Sequence, residues 1–416
     1  MDISFEAIEK AEQRIRQYII ETPLLQSFKL QSLLKWQAPV FLKVETLQFT
    51  GSFKARGALN KLLHLIEKGE RPEHVVASSA GNHAQAVAFG ASKLGIPATI
   101  VMPENAPLVK VKATEEYGPR VILHGAIYDQ AYEKALQVLK ETKNSVFIHP
   151  YQDREIIAGQ GTLGLEISKQ LQAYRVNPGD CDFIIPIGGG GQFSGTACAI
   201  QSQFKGARFL GVVADAAPSM ALSFQAKKLT IAESRVRTLA EGLAIKNPTQ
   251  EMFGLISKYA SDVSIVTDND ISWAIFLLME KIKLIVEGAG AAGVASVLAG
   301  KSQADVKRPL VFSLCGGNID LPRITNIIER GLIFEHRRLN LEVKIEDRPG
   351  ELSQVTKVLG LMRANVLEVS HDRLTSDCAP GQTVLKIHLE TRGSEHQAEI
   401  IKAVSEAGYQ VKVTES

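Results

Sequence analysis

The 416-residue chain has almost no excess of charge: 47 Lys and Arg face 45 Asp and Glu, leaving a formal net charge of +2. A basic nucleic-acid surface needs a surplus or a run of positive charge, and the sequence has neither. It also lacks any apolar run long enough to cross a bilayer. The opening MDISFEAIEKAEQR is polar and has no apolar stretch of the kind a secretory leader carries, so no signal peptide is expected. Cysteine is scarce, and Cys181, Cys198, Cys315 and Cys378 are scattered without a CxxC pair. That spacing provides no zinc site and fits a reducing compartment. The expectation is a cytoplasmic protein with no nucleic-acid or membrane partner and no metal.

What is present is ordinary globular composition, 45% hydrophobic and 22% charged, in a chain long enough for two or three domains. Apolar residues recur at helical spacing from Phe5 to Tyr18, and ETPLLQS with Pro23 breaks that pattern. Short apolar runs then alternate with helical stretches. VFLKVE, HVVASS, PATIVMP, RVILHG, SVFIHP, FIIPI, RFLGVVAD and KRPLVFSL read as strands, which argues for parallel α/β sheets with helices on both faces. Near residue 330 the pattern changes. After the charged stretch IIERGLIFEHRR comes strand, helix, two strands, helix and strand, a βαββαβ order of the ferredoxin-like kind. The expected division is residues 1–330, a linker at 331–339, and a small domain at 340–416.

Five polar or glycine-rich stretches stand at turns of the first region. TGSFKARG (Thr50 to Gly57) places Lys54 just before a helical run. ASSAGNHAQAVA places Ser79, Ala80, Gly81, Asn82 and His83 where a strand gives way to a helix; amides and hydroxyls there suit a carboxylate, or simply cap the helix. PIGGGGQFSG places Gly188, Gly189, Gly190 and Gly191 between a strand and a helix, where uncovered N–H groups and a helix start favour a phosphate. LCGGNID begins at Cys315, and VEGAGAAG sets Glu287 at a helix start. The glycine run is not a P-loop, because no Lys follows it. It also fails the dinucleotide pattern, because the sixth position is Phe193 or Ser194. Asp215, at the end of RFLGVVAD, keeps a nicotinamide dehydrogenase open as a rival. Open α/β sheets bind ligands beyond the carboxyl ends of their strands, so these loops are expected to build one site.

In order and spacing, TGSFKARGA, SSAGNHAQ, the GGGG run and CGGNID closely resemble the threonine and serine dehydratases of the fold-type II (tryptophan synthase β-like) pyridoxal 5'-phosphate enzymes. ETPL, VMPENAP, IAGQGTLGLEI and VEGAGA match as well, so the resemblance covers about residues 5–330. It implies two α/β subdomains, the smaller (roughly 50–155) inserted in the larger. It further implies that Lys54 bonds covalently to the cofactor and that Phe53 packs on its ring. Asn82 meets the ring hydroxyl, Gly188 to Gly191 hold the phosphate, and Cys315 faces the pyridine nitrogen. Ser79, Ala80, Gly81, Asn82 and His83 line the loop that takes the substrate carboxylate, with Glu287 and Gly316 in support. The last 77 or so residues, with DRPGELSQV, resemble an ACT domain, which implies an amino-acid effector near Asp347, Gly350, Asn365 and Val366 and a homodimer or homotetramer.

The chemistry fits these residue types. An amine that forms a Schiff base and later accepts a proton must be a lysine, and burial beside a cofactor keeps it uncharged near neutrality. The expected reaction is deamination of L-threonine to 2-oxobutanoate, with isoleucine as the effector of a biosynthetic enzyme. Serine as the preferred substrate stays open. So do a serine racemase, although Ala80 stands where racemases of this group carry a serine, and a sensor that has lost catalysis. ADAAPSM lacks the acidic ligands that hold a cation in some relatives, although its Asp215 leaves such a site open.

Overall fold

A computed structural model describes residues 2–233, 237–373 and 379–414; Cys378 lies outside them. The chain divides into two compact units, Met1–Asp320 and Leu321–Ser416. The strands of the first unit are, in chain order, β1 (Leu24–Gln26), β2 (Val40–Val44), β3 (His74–Ser78), β4 (Ala98–Met102), β5 (Arg120–Leu123), β6 (Ser145–Phe147), β7 (Asp182–Pro186), β8 (Arg208–Ala214), β9 (Ala260–Val266) and β10 (Leu310–Leu314). They form two sheets. The smaller runs β5-β4-β3-β6 and is parallel throughout. The larger runs β1-β2-β10-β7-β8-β9, parallel except where β1 pairs antiparallel with β2. Every residue of β2, β4, β7 and β10 is buried, as almost unbroken apolar runs require when helices cover both faces of a sheet. The chain leaves β3, β7 and β10 directly into the Ser79, Gly188 and Cys315 loops, so all three lie at carboxyl ends of strands.

Two strands have no counterpart in the sequence reading. The break at ETPLLQS contains β1, a three-residue edge strand that begins just after Pro23, where a missing N–H costs no ladder bond. The other, β9, is the opposite edge; its sequence ASDVSIV is only partly buried and has no continuous apolar run to reveal it.

The first α-helix after β2, Lys54–Glu67, is fixed by a largely buried ionic cluster. Arg56 is fully buried. Its guanidinium donates to Glu45 at 2.8 Å through two nitrogens and to Glu166 at 2.6 and 2.9 Å, with Thr162 at 3.2 Å. Lys43, equally buried, donates to Glu166 at 2.7 Å, Gln170 at 3.0 Å and the Thr22 carbonyl at 2.6 Å. Two cations thus meet two carboxylates. Burial opposes charge at Arg56, but Glu45 and Glu166 outweigh it and its pKa is raised. The cluster ties Lys54–Glu67 to β2 and to the long helix Arg154–Ala173.

In the second unit, β11 (Arg338–Glu346), β12 (Asn365–Asp372), β13 (Gln382–Glu390) and β14 (Gln410–Val413) form an antiparallel sheet ordered β12-β13-β11-β14. Alternate residues of β11, from Leu339 to Ile345, are buried against Val355 and Leu359 of helix Glu351–Leu361 and Ile400 and Val404 of helix Ser394–Glu406. This is the expected βαββαβ order. The unit starts ten residues before the expected boundary at 330, because IIERGLIF belongs to a helix, Leu321–Phe334, that buries Ile327, Gly331 and Leu332. The expected linker 331–339 therefore holds the end of that helix and the start of β11.

Arg56→Ala leaves two carboxylates without their guanidinium. The expected loss of stability is about 3–5 kcal/mol, read by urea unfolding of the first unit's transition. A loss under about 1 kcal/mol would mean that the cluster does not hold the helix.

Candidate active site

Four helices begin at one cavity of about 550 Å³. They start at Lys54, Asn82, Gly191 and, after Glu287, at Gly288. A helix start points unpaired N–H groups and a partial positive charge at whatever lies before it. The cavity is lined by expected residues of all five stretches: Phe53 and Lys54; Ser79, Ala80, Gly81, Asn82 and His83; Gly188 to Gly191; Glu287; and Cys315. Gly316 sits just behind this wall, where a Cβ would lie 2.4 Å from the Glu287 Oε1 atom.

The turn that carries Lys54 is stitched to the loop after β10. The Phe53 N–H donates to the Cys315 carbonyl at 3.1 Å and the Gly317 N–H to the Gly51 carbonyl at 2.9 Å, with a bridge between Ser52 and Gly316. Lys54 Nζ lies 5.2 Å from the centre of the Phe53 ring and donates to the Pro150 carbonyl at 3.0 Å. Burial lowers the Lys54 pKa to about 8, against smaller opposing effects of Cys315 and Glu287. The Cys315 thiol is pushed well above its usual value by burial, with Glu287 adding to the effect, so it is a neutral group. Burial also raises Glu287 to about 7, opposed by its hydrogen bond from Asn82.

The glycine run is held by close packing. A Cβ at Gly188 would lie 2.3 Å from the Gly242 carbonyl oxygen and one at Gly189 would enter the Tyr151 ring at 2.1 Å, while Gly190 has φ +85°. The backbone therefore turns tightly beneath Tyr151 into the helix that starts at Gly191. In the second loop, the Ser79 hydroxyl accepts from the Gly81 N–H at 3.1 Å. His83 does not offer a charge: it is buried, its Nε2 meets the Ile148 carbonyl at 2.8 Å, and burial followed by the nearby Lys54 lowers its pKa to about 3. Asp347 and Gly350 of the second unit flank the turn into helix Glu351–Leu361, and Asn365 and Val366 open the edge strand β12. Asp347 pairs there with Arg373 at 2.9 Å and Asn365 donates to Glu390 at 3.1 Å.

Several residues of the cavity went unnoticed in the sequence. Asn318 stands in the quoted CGGNID, and its side chain reaches both Asn82 and the Thr50 carbonyl at 2.8 Å. Tyr151, in the stretch between β6 and its helix, has no local signal. Lys110 and Glu241, an ion pair in the lining, come from distant segments with no motif.

The donor set suits pyridoxal phosphate. There is an amine that is partly neutral near pH 8, a glycine cradle that a Cβ would fill, and a neutral thiol. Two buried oxygens on lining residues, Ser78 Oγ and Gln160 Oε1, have no hydrogen-bond partner in the protein. A family model described as pyridoxal-phosphate dependent enzyme matches residues 15–316. An L-threonine ammonia-lyase of Thermotoga maritima is 40% identical over 412 residues, covering 99% of each chain. Another, of Geobacter sulfurreducens, is 39% identical over 415 residues, again covering 99% of each. Among solved structures, a threonine deaminase of T.th. is 36% identical with a TM-score of 0.69, covering 76% of this chain and 99% of that one. Maize serine racemase is 32% identical with a TM-score of 0.71, covering 81% and 100%.

The cradle's two ends respond differently to a methyl group. At Gly191 the nearest atom to an added Cβ is 3.6 Å away, an ordinary contact. Gly188→Ala is expected to lose about 1–3 kcal/mol in thermal or urea unfolding, and Gly191→Ala less than about 0.5 kcal/mol. Equal losses would contradict the packing described.

Proposed function

The chain belongs to the pyridoxal-phosphate-dependent enzymes, and from that premise we propose that it is a threonine ammonia-lyase, converting L-threonine to 2-oxobutanoate and ammonia by β-elimination of water and hydrolysis. The observation that carries the substrate is the end-to-end likeness, through both units, to two L-threonine ammonia-lyases. Lys54 would hold the cofactor covalently, Phe53 would lie against its ring, and Gly188 to Gly191 would take the phosphate on amides at a helix start. Asn82 would meet the ring oxygen and Cys315 the ring nitrogen. The bound cofactor supplies the electron sink that makes an amino acid's α-proton acidic enough to remove.

The protein's own groups do the rest. Lys54, lowered to about 8 by burial, is partly neutral near pH 8, and the Pro150 carbonyl orients it. A neutral amine accepts the α-proton; an ammonium does not. The uncharged Cys315 thiol does not fix a proton on the ring nitrogen as a carboxylate does, which favours elimination over transamination. Ser79 and the N–H groups of Asn82 and His83, at the start of helix Asn82–Lys93, suit the substrate carboxylate. Ala80 has no proton to exchange, which favours elimination over racemisation. Serine lacks one methyl, worth about 1–3 kcal/mol of discrimination, and is the expected slower substrate.

For the second unit, an ACT-like module, we propose an amino-acid effector at the turn of Asp347 and Gly350 beside Asn365 and Val366, and a homodimer or homotetramer. What supports the effector site is the anion-friendly start of helix Glu351–Leu361 after Gly350 at φ +97°.

Two measurements test these readings. Purified protein is expected to release ammonia from threonine and to show the visible absorbance of lysine-bound cofactor, with Lys54→Ala losing the absorbance and at least about 10³-fold in rate. Attachment of cofactor to apoprotein should accelerate roughly tenfold per pH unit up to about 8 and level off above it, because only the neutral amine reacts. No cofactor uptake would overturn the assignment. Isoleucine is expected to change the threonine saturation curve of the full chain and to leave an Asp347→Ala variant unaffected; identical curves with and without isoleucine would remove it as effector.

A further inference from the structure

Asn82 has a carboxamide whose two ends differ only in polarity, so something must decide which end faces the ring. The neighbours decide it in sequence, starting at a group that cannot change its role. The Thr50 carbonyl can only accept. It takes a hydrogen from Asn318 Nδ2 at 2.8 Å, which fixes the orientation of the Asn318 amide. The same Asn318 nitrogen donates to Asn82 Oδ1 at 2.8 Å, so the oxygen of Asn82 must lie on that side. Asn82 Nδ2 then lies on the other side and donates to Glu287 Oε1 at 2.7 Å. One hydrogen of that nitrogen is used by Glu287, and the second is left for the cavity that Asn82, Asn318 and Glu287 all line.

The backbone makes room for this chain of bonds. Gly51 has φ +67°, and a Cβ there would lie 2.4 Å from Asn318 Oδ1. Gly316 leaves similar space for Glu287 Oε1. Thr50 and Gly51 belong to the turn that carries Lys54, while Asn318 and Glu287 flank Cys315 in space. The turn that presents the amine therefore also sets the polarity of an amide on a different helix.

We propose that Asn318 and Glu287 are positioning residues that clamp the Asn82 carboxamide from both ends, so that it presents an N–H, never its C=O, to an electronegative ring substituent of the cofactor. The inference rests on the cofactor assignment above. Reversing the amide would set the N–H donors of Asn82 and Asn318 against each other, so the clamp acts on cofactor affinity and on the electronic state of the ring before any substrate binds.

Asn318→Asp tests it, because aspartate keeps the size and removes the donor. The Kd of pyridoxal phosphate, measured by absorbance without substrate, is expected to rise about tenfold or more, and the visible band of the bound cofactor to change its pH dependence. Asn318→Ala is expected to bind more tightly than Asn318→Asp despite its larger loss of volume, an order that packing alone does not produce. Glu287→Gln keeps an acceptor for Asn82 Nδ2 and is expected to stay within about threefold of wild type, whereas Glu287→Leu is not. If Asn318→Asp does not fold, Asn318→Ser, which retains a hydroxyl donor, must bind better than Asn318→Ala. Wild-type protein that takes up no cofactor overturns the assignment itself. Wild-type uptake with Asn318 variants of unchanged Kd and band, or with the order of Asp and Ala reversed, overturns the clamp alone.

Discussion

A guanidinium out of reach of water holds the first turn of the helix that begins at Lys54. Burying an ion costs several kcal/mol unless its partners replace the lost hydration, and Arg56 has two carboxylates and a hydroxyl in contact. Lys54 lies two residues earlier, half-buried where it lines the cavity, and it has only a carbonyl and no carboxylate in hydrogen-bond contact. Desolvation therefore meets opposite outcomes on one helix. The arginine stays charged and anchors the helix, and the lysine gives up its proton readily and becomes a base. The anchor matters because the amine must reach a fixed atom, and reactivity falls steeply with misplacements on the order of 1 Å.

Much of this site was legible because its chemistry is carried by short motifs. Lys54, Asn82, the glycine run and Cys315 each stand beside a strand end or helix start that the local pattern reveals, and an open α/β sheet brings such ends together. The parts that stayed hidden depend on distance in the chain. Asn318 is visible as a letter in CGGNID, but its role comes from contacts 236 and 268 residues away. Tyr151 covers Gly189 from a stretch with no pattern, and Arg56 read as structural without any sign of Glu166, 110 residues on. Among strands, β1 and β9 were missed because edge strands are short or half wet and lack a continuous apolar run. The end of the first unit was misplaced for a related reason: the charged face of Leu321–Phe334 hides a helix with a buried side.

Four buried or half-buried groups around the amine are displaced from their usual ionisation toward the neutral form. His83 and Cys315 are neutral, Glu287 lies near its midpoint at about 7, and Lys54 lies near its own at about 8. A cavity that must accept a phosphate and a carboxylate nonetheless needs positive potential. It comes from the backbone: helices of 14, 12, 13 and 11 residues all start there. Partial charges at helix ends do not titrate, and they require no lysine or arginine whose proton could leak into the reaction. Binding is thus separated from proton transfer. In the proposed reading, dipoles and amides would hold the anions, and proton transfer would fall to the amine of Lys54. A second free ammonium beside it would depress the Lys54 pKa further and compete for the substrate carboxylate. Lys110, which also lines the cavity, is held in an ion pair with Glu241, which offsets its charge.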